Sequence, residues 1–243
     1  MQLVVNFIVA NWLNIVALIW FLVCFNGYMI YSKRQSYSTA CLASVMHLYR
    51  MEWMRRVCDR ENRIADTAAV ANLEKSVSFF ASTTMLVLAG LVTVLGSTEE
   101  ASQVIADLPF SVPATQQEWE IKLMVVITLF VYAFFKFTWS LRQYGFVSVM
   151  IGGAPNANEN ATDTEKEIFA NRAAKMTSMA ANNFNTGLRS YYFSLAMLAW
   201  FVNPYLFMAV SAGVVIVLYR REFKSSTLRS LMMSRSANFS RND

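Results

Sequence analysis

Residues 76–91 read SVSFFASTTMLVLAGL, and Ser76, Ser78, Ser82, Thr83 and Thr84 place five hydroxyls in the first half of an apolar run. At membrane depth such groups can line a polar route, contact a ligand, or hold helices together through small volume and hydrogen bonds to backbone carbonyls. Spacing bears on the choice. At 3.6 residues per turn, Ser76, Thr83 and Gly90 fall on one line, while Ser78, Ser82 and Ala89 fall on a second, roughly opposite one. A pore-lining face would gather its hydroxyls on one stripe, so two lines favour helix packing through Ser76, Ser78, Ser82, Thr83, Ala89 and Gly90.

Other polar residues lie inside or beside apolar runs. Asn6, Asn11, Asn14 and Asn26 fall in the first run, Lys136 and Arg142 in and beyond the third, and Asn182, Asn183, Asn185 and Arg189 at the entry to the last. Asn11 and Asn14 share a helix face and can bond across an interface. Polar groups against lipid are costly, which makes Asn11, Asn14, Lys136, Arg142, Asn185 and Arg189 candidates for a polar pathway or an interface. Lys136, Arg142 and Arg189 all lie toward one membrane face, so headgroup anchoring explains them equally well.

Catalytic chemistry has little to work with. His47 is the sole histidine, with no triad motif around it, and Cys24, Cys41 and Cys58 form no CxxC pair. The thiols read as buried or reduced. Asp59, Glu61 and Asp66 alternate with Arg60 and Arg63 as on a solvated face. The sequence therefore points away from an enzyme, and no cofactor or metal motif is present.

The elements that hold these residues are set by composition. Of 243 residues, 56% are hydrophobic and 15% charged, against roughly 45–50% and about 25% in soluble domains. The apolar residues lie in long runs, so the chain reads as an all-α, polytopic transmembrane helical bundle. The run over 4–31 is too long for a signal-peptide core and reads as a retained span. Further runs cover about 77–97, 120–141 and 191–219, the last broken by Asn203-Pro204.

Charge orients them. Residues 33–75 contain eight Lys/Arg, whereas residues 97–120 contain none and carry Glu99, Glu100, Asp107, Glu118 and Glu120. The positive-inside bias makes the first loop cytoplasmic and the second external. The basic stretch 136–189 and the tail after Arg220 both belong inside, so Asn203-Pro204 is best read as a hairpin tip between spans near 183–202 and 204–220. Five spans result, with the N-terminus out and the C-terminus in. The net charge of +5 fits anionic lipid headgroups at the cytoplasmic face, and no basic-aromatic module suggests nucleic acid.

Residues 1–220 thus form the transmembrane domain with cytoplasmic helices over 40–75 and 162–190, and 221–243 form a basic cytoplasmic tail. Ser38 or Thr39 can cap a helix to about Cys58, with Leu42, Met46, Tyr49, Trp53 and Val57 at helical spacing. That helix suits either the inner membrane surface or another helix of the chain. Thr162 and Glu165 fit a capping box opening a helix of about forty residues, roughly 60 Å long. Its first half, with Ala170, Ala173, Ala174, Met176, Met179, Ala180 and Ala181, invites a close partner, either the 40–75 helices or a neighbouring subunit. The acidic external loop, with Pro109 and Pro113, shows no metal-binding spacing, and the sequon-like triplets at Asn160 and Asn238 read as chance.

The segments RMEWMRR (50–56), ENRIADTAAVANLEKSVSFFASTTMLVLAGL (61–91), KFTWSLRQYGF (136–146) and FNTGLRSYYFSLAMLAWFVNPYLF (184–207) together resemble a bacterial inner-membrane family catalogued as a domain of unknown function, number five-nine-nine. The resemblance covers about residues 10–220 and implies an inner-membrane protein, with no reaction to carry over. Two functional expectations follow from the residues. One is a homo-oligomeric channel or transport-like assembly for an ion or small solute, with Lys136, Arg142 and Arg189 around a cytoplasmic vestibule. The alternative is a non-conducting structural or accessory subunit that scaffolds another membrane complex.

Overall fold

The computed structural model describes residues 11–36, 39–106, 112, 114–156 and 161–239. Among them the regular structure is entirely helical: α1 (Trp12–Gln35), α2 (Leu42–Cys58), α3 (Ile64–Gly96), α4 (Thr98–Ala106), α5 (Gln116–Gly152), α6 (Asp163–Val202), α7 (Pro204–Phe223) and α8 (Ser226–Phe239). Asn6, Ser38, Asp107, Pro109, Pro113, Asn160, Ser240 and Arg241 lie outside the described residues.

Local chemistry sets the ends of these helices. Thr162 and Glu165 form the expected capping box of α6, each side chain bonding the other's backbone N–H. Thr115 opens α5 by accepting from the Glu118 N–H. The α2 cap corrects the sequence expectation: it is Cys41, whose thiol accepts from the Ser44 N–H while Ser44 Oγ accepts from the Cys41 N–H at 2.9 Å. Thr39 instead accepts from Gln35 Nε2. The stretch 40–75 is not one rod. It breaks after Cys58, and the Arg63 guanidinium fastens the break by donating to the carbonyls of Ala154 (2.8 Å) and Pro155 (2.5 Å) beyond α5.

The Asn203-Pro204 break is a helical hairpin, as expected. Asn203 is extended (φ −158°, ψ 130°), its Oδ1 accepts from the Tyr205 N–H, and Pro204 occupies the first turn of α7, where a missing N–H costs nothing. α7 returns along α6 and packs against α1. We call the end carrying Asn203 the tip end.

Packing divides the molecule in two. Toward the tip end, α1, the C-terminal half of α6, α7 and the N-terminal half of α5 share a core of Phe21, Leu123, Phe193, Met197, Trp200 and Phe207. At the opposite end α2, α3, α5 and the N-terminal half of α6 enclose Met54, Val57, Val70, Val147 and Ile151 with Ala170, Ala173, Ala174 and Ala180. This is the block end. The alanine-rich half of α6 therefore finds its partners in α2 and α5 of the same chain. α2 spends its apolar face there, burying Val45, Met54 and Val57, and its aromatic tips bond within the protein: Trp53 Nε1 to Asp66 at 2.7 Å, and the Tyr49 hydroxyl to the Leu231 carbonyl at 3.0 Å.

Three helices, α1, α3 and α5, are long and apolar enough to cross a membrane among the described residues, where the sequence reading expects five spans. The reason lies in the last pair. α6 is diluted by Asn182, Asn183, Asn185 and Arg189, and α7 has only 20 residues, with Arg220, Arg221 and Glu222 near its end. What stands is an all-α polytopic membrane bundle.

Candidate functional site

The polar residues expected near membrane depth do not converge; all but Asn185 of the candidate set divide among three places. At the tip end, Asn14 Nδ2 donates to Asn11 Oδ1 (3.3 Å), Trp200 Nε1 donates to Asn14 Oδ1 (3.0 Å), and Lys122 Nζ donates to the Trp200 carbonyl (3.1 Å). Lys122, with 4% exposure, also rests over the Trp200 ring. This chain of bonds ties α1, α6 and α5 together. Lys122 was not among the residues singled out from the sequence, although a lysine just inside an apolar run after Glu118 and Glu120 is a readable signal.

About two thirds of the way along α6 toward its C-terminus, Arg189 forms a second cluster. Its guanidinium donates to Ser32 Oγ of α1 (3.0 Å) and Glu222 of α7 (3.2 Å), and lies over the Tyr28 ring at 5.3 Å. Both charged side chains retain only 15% exposure. A pair this enclosed leaves a costly lone charge if either partner is removed, so it fixes the register of α1, α6 and α7. Glu222 was also missed from the sequence. The signal was there: a hairpin at Asn203 folds the acid at the end of α7 back toward Arg189.

Between these clusters the bundle is filled by rings. Phe21 packs on Phe193 and Phe207 at 5.7 and 5.2 Å between centroids, Phe25 on Phe193 at 5.2 Å, and Trp200 stacks on Phe207 at 5.1 Å. Trp119 covers Phe201 at 4.7 Å. Lys122 and Arg189 are thus separated by an aromatic plug, with no polar side chain of the expected pathway inside it.

Lys136 and Arg142 form the third place, on the outward face of α5. They line an open cavity of about 540 Å³ with Tyr132, Phe135, Thr138 and Trp139. Asn185 is exposed on α6 and joins none of these groups. The α3 residues expected to pack helices together also point elsewhere: Ser76, Ser78, Ser82, Ala89 and Gly90 are exposed and Thr83 is half-buried, whereas Val77, Ala81 and Thr84 face α5. The hydroxyls do bond backbone carbonyls one turn back, Ser76 to Asn72, Thr83 to Phe79 and Thr84 to Phe80. Thr84 adds a bond to the Tyr191 hydroxyl at 2.7 Å.

The block end holds the remaining reactive groups. His47 Nδ1 lies 2.9 Å from Ser178 Oγ, which also accepts from Arg50 at 3.4 Å. Burial pushes the Arg50 guanidinium below its usual range, opposed by the nearby Tyr144. A serine beside an imidazole is half of a nucleophile arrangement, and among the described residues no carboxylate bonds the imidazole to complete it. Asp66 corrects the reading of a solvated acid face: it is 2% exposed, accepts from Trp53 and Arg60, and leaves Oδ2 without a partner. Asp59 is exposed and pairs with Lys166 at 3.4 Å. All three cysteines are free thiols, and burial pushes the Cys58 thiol up.

A family profile described as Protein of unknown function, DUF599, matches residues 16–227. No curated protein and no solved structure matches the chain.

Proposed function

The chain belongs to the DUF599 family, as a multi-pass protein of the bacterial inner membrane, and from that premise we propose that it is a non-conducting membrane scaffold. The reading has the chain cross the bilayer five times, N-terminus out, with the block end as a cytoplasmic platform for another membrane complex. The observation that carries it is the aromatic plug between Lys122 and Arg189, which interrupts the expected polar pathway among the described residues.

Five crossings are supported by level. The tip-end half of α6 and the whole of α7 share one core with α1 and the start of α5, two helices apolar enough to span. The 20 residues of α7 rise about 30 Å, the thickness of a hydrocarbon core. The charge bias described above puts the block end inside, where its basic residues meet anionic lipid.

Reconstituted protein in planar bilayers and solute-loaded vesicles is expected to stay electrically silent and impermeable. Single-channel currents or solute release would overturn the scaffold reading. Purification in gentle detergent that returned only self-contacts would weaken it as well.

One observation favours a homo-oligomer as the scaffold's working form. α3 packs on α5 through a narrow stripe and exposes the rest of its surface, including Leu86 at 74%. Light scattering of the detergent-solubilised protein reads the subunit number directly, and a monomer at all concentrations would remove this second reading.

A further inference from the structure

Trp139 sits in the middle of the outward face of α5, with Lys136 three residues before it and Arg142 three after. At 1.5 Å per residue the two cations flank the indole about 9 Å apart along the axis. Their side chains diverge: the Lys136 ammonium lies over the Tyr132 ring at 5.4 Å, and the Arg142 guanidinium over Phe146 at 5.8 Å. The space between them is the 540 Å³ cavity.

Neither cation has a carboxylate partner among the described residues, in contrast to Arg189. Both rest on ring faces, an arrangement that an anion can replace without breaking an ion pair. Phe137, on the inner side of this turn, packs against Gly187 at the junction of the two cores, so on the topology proposed above Lys136 stands where the bundle leaves the bilayer. Chemistry changes along the face in the matching order, with Tyr132 and Phe135 toward the tip end and Lys136, Trp139 and Arg142 toward the block end.

We propose that this cavity holds the phosphodiester headgroup of an anionic phospholipid, with Lys136 and Arg142 on the phosphate, Trp139 beside the glycerol region, and one acyl chain along Phe135 and Tyr132. The proposal rests on the basic inner face read above, and it commits to a site rather than to a diffuse field. Trp139 belongs at headgroup level because its ring is apolar and its N–H must stay hydrogen-bonded.

The test uses the full chain in mild detergent and native mass spectrometry, with phosphatidylglycerol and phosphatidylcholine of matched acyl chains. The K136Q/R142Q variant is expected to lose about 30-fold in phosphatidylglycerol affinity, from about a fivefold contribution per cation, with phosphatidylcholine retention unchanged. The K224Q/R229Q variant, which removes two cations elsewhere at the block end, is expected to keep its affinity. An equal loss in both variants would assign binding to net charge and overturn the site, as would full retention by K136Q/R142Q. Displacement of the lipid by excess inorganic phosphate would assign the cavity to free phosphate and overturn the lipid.

A second measurement does not depend on the charge variant folding. Brominated phosphatidylglycerol is expected to quench wild-type tryptophan fluorescence more than that of Trp139→Phe, and equal quenching would also overturn the proposal. Detergent samples have no sidedness, so failure here leaves the topology standing, and a reversed topology leaves the binding result standing.

Discussion

The two halves of this molecule are packed by different means. The tip-end core is built around a chain of rings, Phe25, Phe21, Phe193, Phe207 and Trp200, whereas the block-end core, past the Phe80–Phe137–Phe184 rings at the seam, sets alanines of α6 against Met54, Val147 and Ile151. In lipid, burying apolar surface gains little because the solvent is itself apolar, so a membrane core must gain from dispersion contacts and matched shapes. Large flat rings supply many such contacts. In water the ordinary hydrophobic drive operates, and small residues serve to bring helices close enough for their neighbours to bury. Polar groups differ in the same way. The tip-end half encloses the pair Arg189–Glu222 and the carbonyl-bound Lys122, while the block half carries Arg55–Glu167 and Arg56–Glu52 at its surface beside the buried Asp66.

If rings carry the membrane core, Phe193→Ala should be the most damaging change described here, by about 4 kcal/mol in unfolding measured by denaturant titration in mixed micelles. A loss no larger than that of a surface substitution would break the comparison. Breaking the enclosed pair is next. Arg189→Met should cost about 3 kcal/mol by leaving Glu222 unpaired, and the double variant R189M/E222M should recover most of it. No recovery would mean that the two side chains do not act as a pair.

The seam between the halves is tested by Gly187→Ala. An added Cβ would come within 2.5 Å of the Phe137 ring, and the forced shift should cost about 2 kcal/mol. In the block half, Asp66→Asn keeps the Trp53 bond but removes the charge facing Arg60, with an expected loss of about 1.5 kcal/mol.

The smallest effect is in the α6 capping box. The backbone N–H and hydroxyl of Thr162 hold the Glu165 carboxyl below the ordinary carboxylate range, so its contribution is complete above that range and fades as pH falls through the lowered pKa. Thr162→Ala should flatten this acid dependence slightly in a melt series from neutral to acid pH. An unchanged profile would show that the backbone bond alone matters.

What the sequence disclosed was local. The Thr162–Glu165 box and the Asn203-Pro204 hairpin depend on residues a few positions apart, and both are in place. The position of Lys122 just inside an apolar run was readable but its partner was not, since the Trp200 carbonyl lies 78 positions away, and Asp66 reads as one more acid in a charged turn although Trp53 and Arg60 enclose it. The α3 hydroxyls show a subtler failure. Their two-line spacing is unlike a pore stripe, but periodicity alone could not reveal that α3 packs mainly on α5 and presents most of its surface outward. The span count differs because the five-span reading took its last two crossings from charge bias and the hairpin, whereas by length and apolarity α1, α3 and α5 qualify among the described residues.

The long helices α5 and α6, of 37 and 40 residues, pass from one core into the other without a joint. Two stiff struts clamped side by side behave as a lever. On the topology proposed above, whatever tilt they adopt to match the thickness of the surrounding lipid would be handed directly to the alanine-lined block, and a thinner or thicker bilayer would re-aim it with no ligand bound anywhere.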